Sequence, residues 1–300
     1  MLNFLLIFLC LAAGYLIKKF KKLPDDSFKA VNAWVVNIAL PAVALKYIPK
    51  VEWDISLFLP FAMPFLVWAG AYLFVLLAAR FIAMDRKTRG ALFLTAGLGN
   101  TSFLGFPLTE AYYGAEGLKI AILCDQACFV VMATLGIIAA TRTSNEGRFS
   151  IAPILRKILL FPPFIAFCLA FILPNFVSFA SIEPLLTGLA LTLVPLALFS
   201  VGLQLQLRSW REDARLLSVA LIYKLCLAPV LILGVVLSLG LTDLIAKISI
   251  FEAGMAPMVT GVIIATEYNL NPKLANAILS IGIPLSLVTT FLWTVVLGLL

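Results

Sequence analysis

The sequence predicts an all-α, polytopic membrane protein with ten transmembrane helices, arranged as two inverted repeats of five helices each. Three observations lead to this class. Hydrophobic residues make up 63% of the 300 residues and charged residues only 12%, whereas about a quarter of the residues of a soluble protein are charged. The apolar residues fall in long runs, and matched landmarks recur in the two halves of the chain.

Ten apolar runs are long enough to cross about 30 Å of hydrocarbon as helices. The connectors between them are too short to hold a soluble domain. A basic cluster, Lys18 to Lys22, follows the first run, whereas a cleavable signal peptide carries its charge before its apolar run. We therefore expect the first span to be retained. The runs cover residues 3–20, 31–49, 57–83, 91–113, 117–140, 155–177, 184–205, 216–240, 246–267 and 274–298.

The basic residues predict the orientation. If the loop after span 1 faces the cytoplasm, 17 of the 22 lysines and arginines lie on the inner side. Lys46, Lys50, Lys119 and Lys247 then lie outside, and Lys224 lies within a span. This asymmetry follows the positive-inside rule, and it places both termini on the extracytoplasmic side of a plasma or inner membrane. It also accounts for the net charge of +7 without a nucleic-acid partner.

Two pairs of landmarks indicate a duplication. Pro41 in IALPAVAL and Pro195 in LVPLALFS are 154 residues apart, as are Lys119 in LKIAIL and Lys273 in PKLANAIL. Each half then holds five spans, so the second copy enters the membrane in the opposite orientation. Inverted repeats of this kind are typical of secondary transporters. The predicted repeats are residues 1–145 and 146–300, which form one integral-membrane unit.

Spans 4 and 9 contain helix-breaking segments, GLGNTSFLGFP and EAGMAPMVTG, at corresponding places in the two halves. Proline removes a backbone donor, and glycine lets a helix unwind. Unpaired backbone groups in hydrocarbon cost several kcal/mol each, so such segments persist where protein buries them or where they line a wet cavity. Either segment alone could be a packing kink. The pair predicts broken helices that cross near the midplane and present helix N-termini to an anion and carbonyls to a cation.

The segment GNTSFLGFPLTEAYYG resembles the span-4 signature of the auxin efflux carrier family. VNAWVVNIALPAVAL, YKLCLAP and AGMAPMVTGVIIATEYNL resemble its second, eighth and ninth spans. The resemblance implies a ten-helix carrier of the bile acid/sodium symporter and sodium/proton antiporter fold type. Its core domain, which bears the crossed helices, is interleaved with a scaffold domain that forms a homodimer.

The resemblance also implies a substrate class and a mechanism. Family members are expected to move organic anions, auxin in plants and small dicarboxylates such as malate or malonate in bacteria, by alternating access of elevator type. This chain lacks the long hydrophilic central loop of the plant long-form carriers. A small carboxylate is therefore favoured over auxin, although short-loop plant relatives keep auxin open.

The substrate-binding residues are expected at the two breaks. The amide of Asn100 can donate to a carboxylate or accept from a cation, and the hydroxyls of Thr101 and Ser102 lie beside it. In span 9 the backbone is expected to contribute most of the contacts. The predicted substrate-binding residues are Asn100, Thr101, Ser102, Gly105, Pro107, Gly254, Met255, Ala256 and Pro257.

Asp125, Lys224 and Glu252 are ionisable residues within spans, and such residues are functional hypotheses by default because their burial is costly. Lys224 lies about 12 Å from the cytoplasmic end of its span, at 1.5 Å per residue, so it requires a partner. We predict that Asp125 or Glu252 supplies it and that the three residues serve coupling or charge balance. The fold resemblance implies that a glutamate near the span-9 break holds sodium in coupled relatives, so Lys224 could replace that ion. In the simpler alternatives, Asp125 only pairs with Lys224, and Glu252 contacts water.

Enzymes and metal sites are not indicated. The chain has no histidine, and it shows no HExxH motif, paired metal-binding aspartates or Ser/Lys dyad. We expect no cofactor, apart from coupling to H⁺ or Na⁺. A cation/proton antiporter stays open as an alternative, because Asp125 and Glu252 could bind Na⁺ or H⁺ as the only substrate.

Overall fold

The computed structural model describes residues 2–144, 151–176, 181–205 and 214–300, and within them it contains helices and one isolated β-bridge but no strand. Six helical segments of the described residues are long and apolar enough to cross a membrane. The all-helical class and the membrane-embedded character are thus confirmed, while the ten-span inverted arrangement stays a prediction. The six segments are Ser27–Lys50, Ile55–Ala78, Thr101–Thr143, Glu183–Gln204, Ala214–Ser238 and Pro272–Leu297.

Several of these segments consist of more than one helix, because π-helical and 3₁₀ stretches interrupt the α-helices. The α-helices are α1 (Leu2–Lys19), α2 (Ser27–Trp34), α3 (Leu40–Tyr47), α4 (Phe58–Ala78), α5 (Arg86–Gly97), α6 (Phe106–Val131), α7 (Ile137–Thr143), α8 (Ile151–Leu159), α9 (Pro162–Ile172), α10 (Glu183–Ala190), α11 (Leu193–Gln204), α12 (Ala214–Ile222), α13 (Ala228–Ser238), α14 (Leu244–Ala253), α15 (Val259–Glu267) and α16 (Pro272–Leu297).

The chain divides into two compact units, and each draws on both halves of the sequence. The first unit comprises Met1–Asp54, Ser102–Ile122 and Leu155–Leu205. The second unit comprises Ile55–Thr101, Leu123–Ile154 and Gln206–Leu300.

In the first unit, α1 and α11 make close backbone contact. A Cβ atom on Gly14 would lie 2.2 Å from the carbonyl oxygen of Phe199, and one on Gly202 would lie 2.3 Å from that of Leu11. Small residues allow this kind of approach between membrane helices. A larger residue at either glycine would force the two helices apart.

In the second unit, the helices that lead into the two predicted breaks begin with the same kind of cap. The side chain of Asp85 accepts a hydrogen bond from the Thr88 amide at 2.7 Å before α5, and that of Asp243 accepts one from the Ala246 amide at 2.9 Å before α14. Such caps satisfy amides that a helix N-terminus leaves without a partner. Hydrogen bonds from the side chain and the amide of Thr88 lower the pKa of Asp85 below its ordinary value.

Helix α6 is kinked at Gly114, where φ is 68° and ψ is −164°. Glycine adopts this left-handed backbone conformation at little cost, whereas side-chain-bearing residues are strained there. The kink falls between the apolar runs 91–113 and 117–140. Helical geometry is therefore interrupted where the sequence predicts that span 4 gives way to span 5.

Candidate functional site

The first break lies between α5 and α6. Helix α5 ends at Gly97, and Leu98 is extended, with φ −114° and ψ 130°. A π-helical stretch, Thr101–Gly105, then leads into α6. Residues 98–100 are non-helical and buried, so their backbone groups need partners from elsewhere in the chain.

The second break lies between α14 and α15. Helix α14 ends at Ala253, and α15 begins after Met258, whose backbone is extended with φ −70° and ψ 129°. Residues 254–258 are all buried. A Cβ atom on Gly282 of α16 would lie 2.7 Å from Cδ of Pro257. The absence of a side chain at Gly282 therefore makes room for the proline at the break.

The two breaks pair with each other. Gly99 and Pro257 form an isolated antiparallel bridge. The amide of Asn100 donates to the Ala256 carbonyl at 2.8 Å, and the amide of Met258 donates to the Leu98 carbonyl at 3.1 Å. Each break thus supplies hydrogen-bond partners for the other, which allows non-helical backbone to persist in an apolar interior.

Lys224 lies against this bridge. Its side chain is buried, with 1% exposed, and Nζ donates to the Ala253 carbonyl at 2.7 Å. A Cβ atom on Gly99 would lie only 3.1 Å from Nζ. The ammonium group is therefore placed at the C-terminal end of α14, where the helix dipole favours a cation. The carboxyl of buried Glu252 is close enough to interact with it electrostatically.

Asp125 joins α6 to the first break. Its side chain is 4% exposed, and Oδ1 accepts a hydrogen bond from Thr101 Oγ1 at 2.6 Å. One turn further along, Cys128 Sγ donates to the Gly99 carbonyl at 3.6 Å. A buried carboxyl group and a buried ammonium group thus approach the same short stretch of backbone, residues 98–101.

Most of the residues that the sequence singles out fall within the second unit. They are Asn100, Thr101, Asp125, Lys224, Glu252, Gly254, Met255, Ala256 and Pro257. Ser102, Gly105 and Pro107 belong to the first unit instead. Their functional roles stay predictions. The contact of Lys224 with the Ala253 carbonyl is a backbone partner that the sequence did not indicate.

The first unit contains a cavity of about 220 Å³ that sequence reasoning did not anticipate. Pro107 is part of its lining, together with Lys46 and Tyr47 of α3 and Glu110 of α6. From the sequence we expect Lys46 to lie outside and Glu110, near the end of the apolar run 91–113, to be solvated. The structure half-buries both residues. The available signal was that both charges lie near the predicted outer ends of spans 2 and 4, which would bring them to a similar depth.

Comparison with known proteins places the chain among transporters. The family model described as "Membrane transport protein" matches residues 1–152 and 147–294. An uncharacterized transporter of Methanothermobacter thermautotrophicus is 28% identical over 95% of this chain and 94% of its own length. An uncharacterized transporter of Methanocaldococcus jannaschii is 27% identical over 96% of this chain and 96% of its own length. The uncharacterized transporter YfdV of Escherichia coli K12 is 22% identical over 96% of this chain and 94% of its own length.

Proposed function

This chain belongs to the membrane transport protein family, the auxin efflux carrier family of the resemblance above, and we propose that it is a secondary carrier for a small organic anion. The substrate is a carboxylate or an auxin-like acid, and transport proceeds by alternating access of elevator type. Family membership makes the protein a membrane transporter rather than an enzyme. The observation that carries the finer proposal is the buried antiparallel pairing of Gly99 with Pro257.

The proposed fold is ten helices in two inverted repeats whose broken helices cross at the bridge. The spacing of the two segments supports it, because Asp85 precedes Gly99 by fourteen residues and Asp243 precedes Pro257 by the same number. Each aspartate caps the helix that leads into its break. A duplicated and inverted unit would give this correspondence.

The chemistry of the bridge region suits an anion. Helix α15 begins directly after the second break, so its amides and the positive end of its dipole face the broken backbone. We assign the contact with the carboxylate to this N-terminus and to the side-chain amide of Asn100. Lys224 supplies the balancing positive charge, and Asp125 and Glu252 provide for coupling to H⁺ or Na⁺.

The remaining parts of the proposal follow from the family and the charge pattern. The carrier works as a homodimer in the lipid bilayer of a plasma or inner membrane, with both termini on the extracytoplasmic side. The division of the chain into two compact units is compatible with an elevator-type carrier, in which a transport domain moves relative to a scaffold.

Uptake by proteoliposomes tests the proposed function. A panel of mono- and dicarboxylates is offered with and without a pH or sodium gradient, and we expect saturable uptake of at least one carboxylate.

Asn100→Ala should fold but transport poorly, because removal of a buried polar partner costs about 1–3 kcal/mol. Asn276→Ala is the matched control, since within the described part of the chain Asn276 donates only to the Pro272 carbonyl, at 2.8 Å within α16.

A cation/proton antiporter on the same fold is the second candidate. The observation that favours it is the burial of two carboxyl groups in the second unit, Asp125 and Glu252, with 4% and 0% exposed. Under this alternative the liposomes exchange Na⁺ for H⁺ without any carboxylate, and no member of the carboxylate panel is taken up. That result would replace the organic-anion proposal.

A further inference from the structure

The cavity of the first unit is a compartment with an apolar wall and two opposite charges. Its lining comes from α1, α3, α6, α10, α11 and the link between α10 and α11, and twelve of the fifteen lining residues are apolar. The exceptions are Lys46, Tyr47 and Glu110. An apolar pocket with a few polar groups is the usual form of a small-molecule site, and the polar groups set which molecule binds.

The two charges are close but not joined. Lys46 and Glu110 are half-buried and interact electrostatically, yet no ion pair of the described residues links them. Lys46 Nζ lies 5.0 Å from the ring centroid of Tyr47, a cation–π distance that keeps the ammonium group beside the cavity. The cavity therefore offers a cation and an anion separately to a ligand.

We propose that this cavity binds an α-amino acid zwitterion with an uncharged, apolar side chain. The ligand carboxylate contacts Lys46, its ammonium group contacts Glu110, and its side chain lies against the apolar wall. A monocarboxylate would satisfy Lys46 and be repelled by Glu110, and a dicarboxylate would be repelled twice. A zwitterion pairs both charges and leaves none buried without a counter-charge.

The inference goes beyond the proposed function. It concerns binding by residues of the first unit alone, and it holds whether or not an organic anion is carried at the bridge. Direct binding to the purified full-length protein in lipid nanodiscs therefore tests it independently of transport.

Three probes of nearly equal shape test the contributions of the ligand's carboxylate and ammonium groups separately. L-Leucine carries both charged groups, 4-methylpentanoate lacks the amine, and 3-methylbutylamine lacks the carboxylate. We expect titration calorimetry to show leucine binding at least about tenfold more tightly than either analogue, because each analogue leaves one charged wall residue without its partner. L-Glutamate should bind more weakly than leucine, since its extra carboxylate meets the apolar wall or Glu110.

Two substitutions assign the contacts. Glu110→Gln should weaken leucine and strengthen 4-methylpentanoate, so that the preference between the two is lost or reversed. Lys46→Gln should weaken leucine and 4-methylpentanoate and strengthen 3-methylbutylamine, because it removes a like charge from the cavity wall. The matched controls are Glu116→Gln and Lys119→Gln, which change the same residue types in the same unit at an ion pair of 2.8 Å outside the cavity lining. Neither control should alter binding.

The ligand ranking of the unmodified protein decides the question even if a cavity variant fails to fold. If 4-methylpentanoate binds as tightly as leucine, or if none of the probes binds, the zwitterion proposal is wrong. An unchanged leucine affinity in well-folded Glu110→Gln would overturn it as well. Each of these results leaves the organic-anion carrier standing, whereas leucine binding without carboxylate uptake by liposomes would contradict the carrier and not the cavity.

Discussion

Lys224 shows how the second unit accommodates a charge in an apolar interior. An isolated ammonium group is costly to bury, and two features offset that cost. The carbonyl of Ala253 accepts its hydrogen bond at 2.7 Å, at the end of α14 where the helix dipole is negative. The acidic side chain of Glu252 supplies electrostatic attraction. Lys224 thus links the second break to the π-helical stretch Tyr223–Leu227, in which the lysine lies.

Replacing the lysine with an uncharged and slightly shorter side chain tests this arrangement. Lys224→Met leaves the Ala253 carbonyl and a buried acid without their cation, and we expect transport to fall. The activity that remains should acquire a new dependence on pH or sodium. Lys224→Met combined with Glu252→Gln should recover stability relative to the single variant. Uptake and thermal unfolding across pH are the measurements, and exposed Lys273→Met is the control. A single variant that matches the unmodified protein in both would make Lys224 a bystander.

The absence of a side chain at Gly99 makes room for the side chain of Lys224. A Cβ atom there would lie 3.1 Å from Nζ and 3.4 Å from Cε of the lysine, so Gly99→Ala requires the lysine to shift. We expect Gly99→Ala to lower transport and to destabilise the fold by about 1–3 kcal/mol, as overpacking does. Gly234→Ala is the control, because a Cβ atom on Gly234 in α13 meets nothing within 4 Å.

The double variant Gly99→Ala with Lys224→Met shows whether the clash is the cause. The shorter, uncharged methionine relieves the contact, so the two substitutions should be less destabilising together than the sum of their separate effects. Additive losses in thermal unfolding would mean that Gly99 matters for a reason other than its approach to Lys224.

The ends of the two capped helices that precede the breaks could be predicted from the sequence. Glycine and proline indicated where α5 and α14 end, and the structure interrupts both helices there. The matched breaks predicted that the two broken helices cross, but the pairing of Gly99 with Pro257 could not be predicted, because the partners are 158 residues apart and no local feature sets their register. The cavity around Lys46 and Glu110 was missed for the same reason, since its walls come from distant helices.

The hydrogen-bonded cap at Asp85 makes the stability of the fold depend on pH, and the direction of that dependence follows from the lowered pKa of Asp85. Its folded-state pKa is lowered, chiefly by the side-chain hydrogen bond of Thr88, so the carboxylate stabilises the fold above its unfolded pKa of about 3.9. That contribution is lost as the pH falls through the lower folded-state pKa. Because the group is largely exposed, Asp85→Ala should cost about 0.5–1 kcal/mol at neutral pH and less once both states are protonated, since a neutral carboxyl group is a weaker acceptor for the Thr88 amide.

Thermal unfolding of Asp85→Ala between neutral and acid pH is the measurement. Asp26→Ala is the matched control, because Asp26 precedes α2 without a side-chain capping bond. An equal loss of stability in both variants, or a loss in Asp85→Ala that is no smaller at low pH than at neutral pH, would contradict a charge-dependent cap at Asp85.

The family resemblance implies an interleaved core and scaffold, but the chain order alone does not say which segments form each unit. The predicted repeats meet at residue 145 within one integral-membrane unit, and each compact unit takes segments from both halves of the sequence. Landmarks at a fixed offset report how a chain was duplicated. They carry no information on which helices of the two copies pack together, because packing depends on contacts between helices far apart in sequence. The number of spans and their orientation therefore need a measurement that does not depend on packing.

Single cysteines at exposed positions provide that measurement. Ser144 lies in the predicted inner loop but is only 6% exposed, so we choose Asp26, Lys273, Glu52 and Glu116, which are all exposed. The background lacks the five native cysteines. Cys128→Ser is chosen within it to keep the donor to the Gly99 carbonyl.

The positive-inside rule and the ten-span count predict the labelling of each site. Glu52→Cys and Glu116→Cys should react with an impermeant thiol reagent applied to intact cells. Asp26→Cys and Lys273→Cys should react only after permeabilisation, because eight predicted spans separate them and return the chain to the same side. Labelling of Asp26→Cys and Lys273→Cys from opposite sides would require an odd number of crossings between them, and the two five-span repeats would then be wrong.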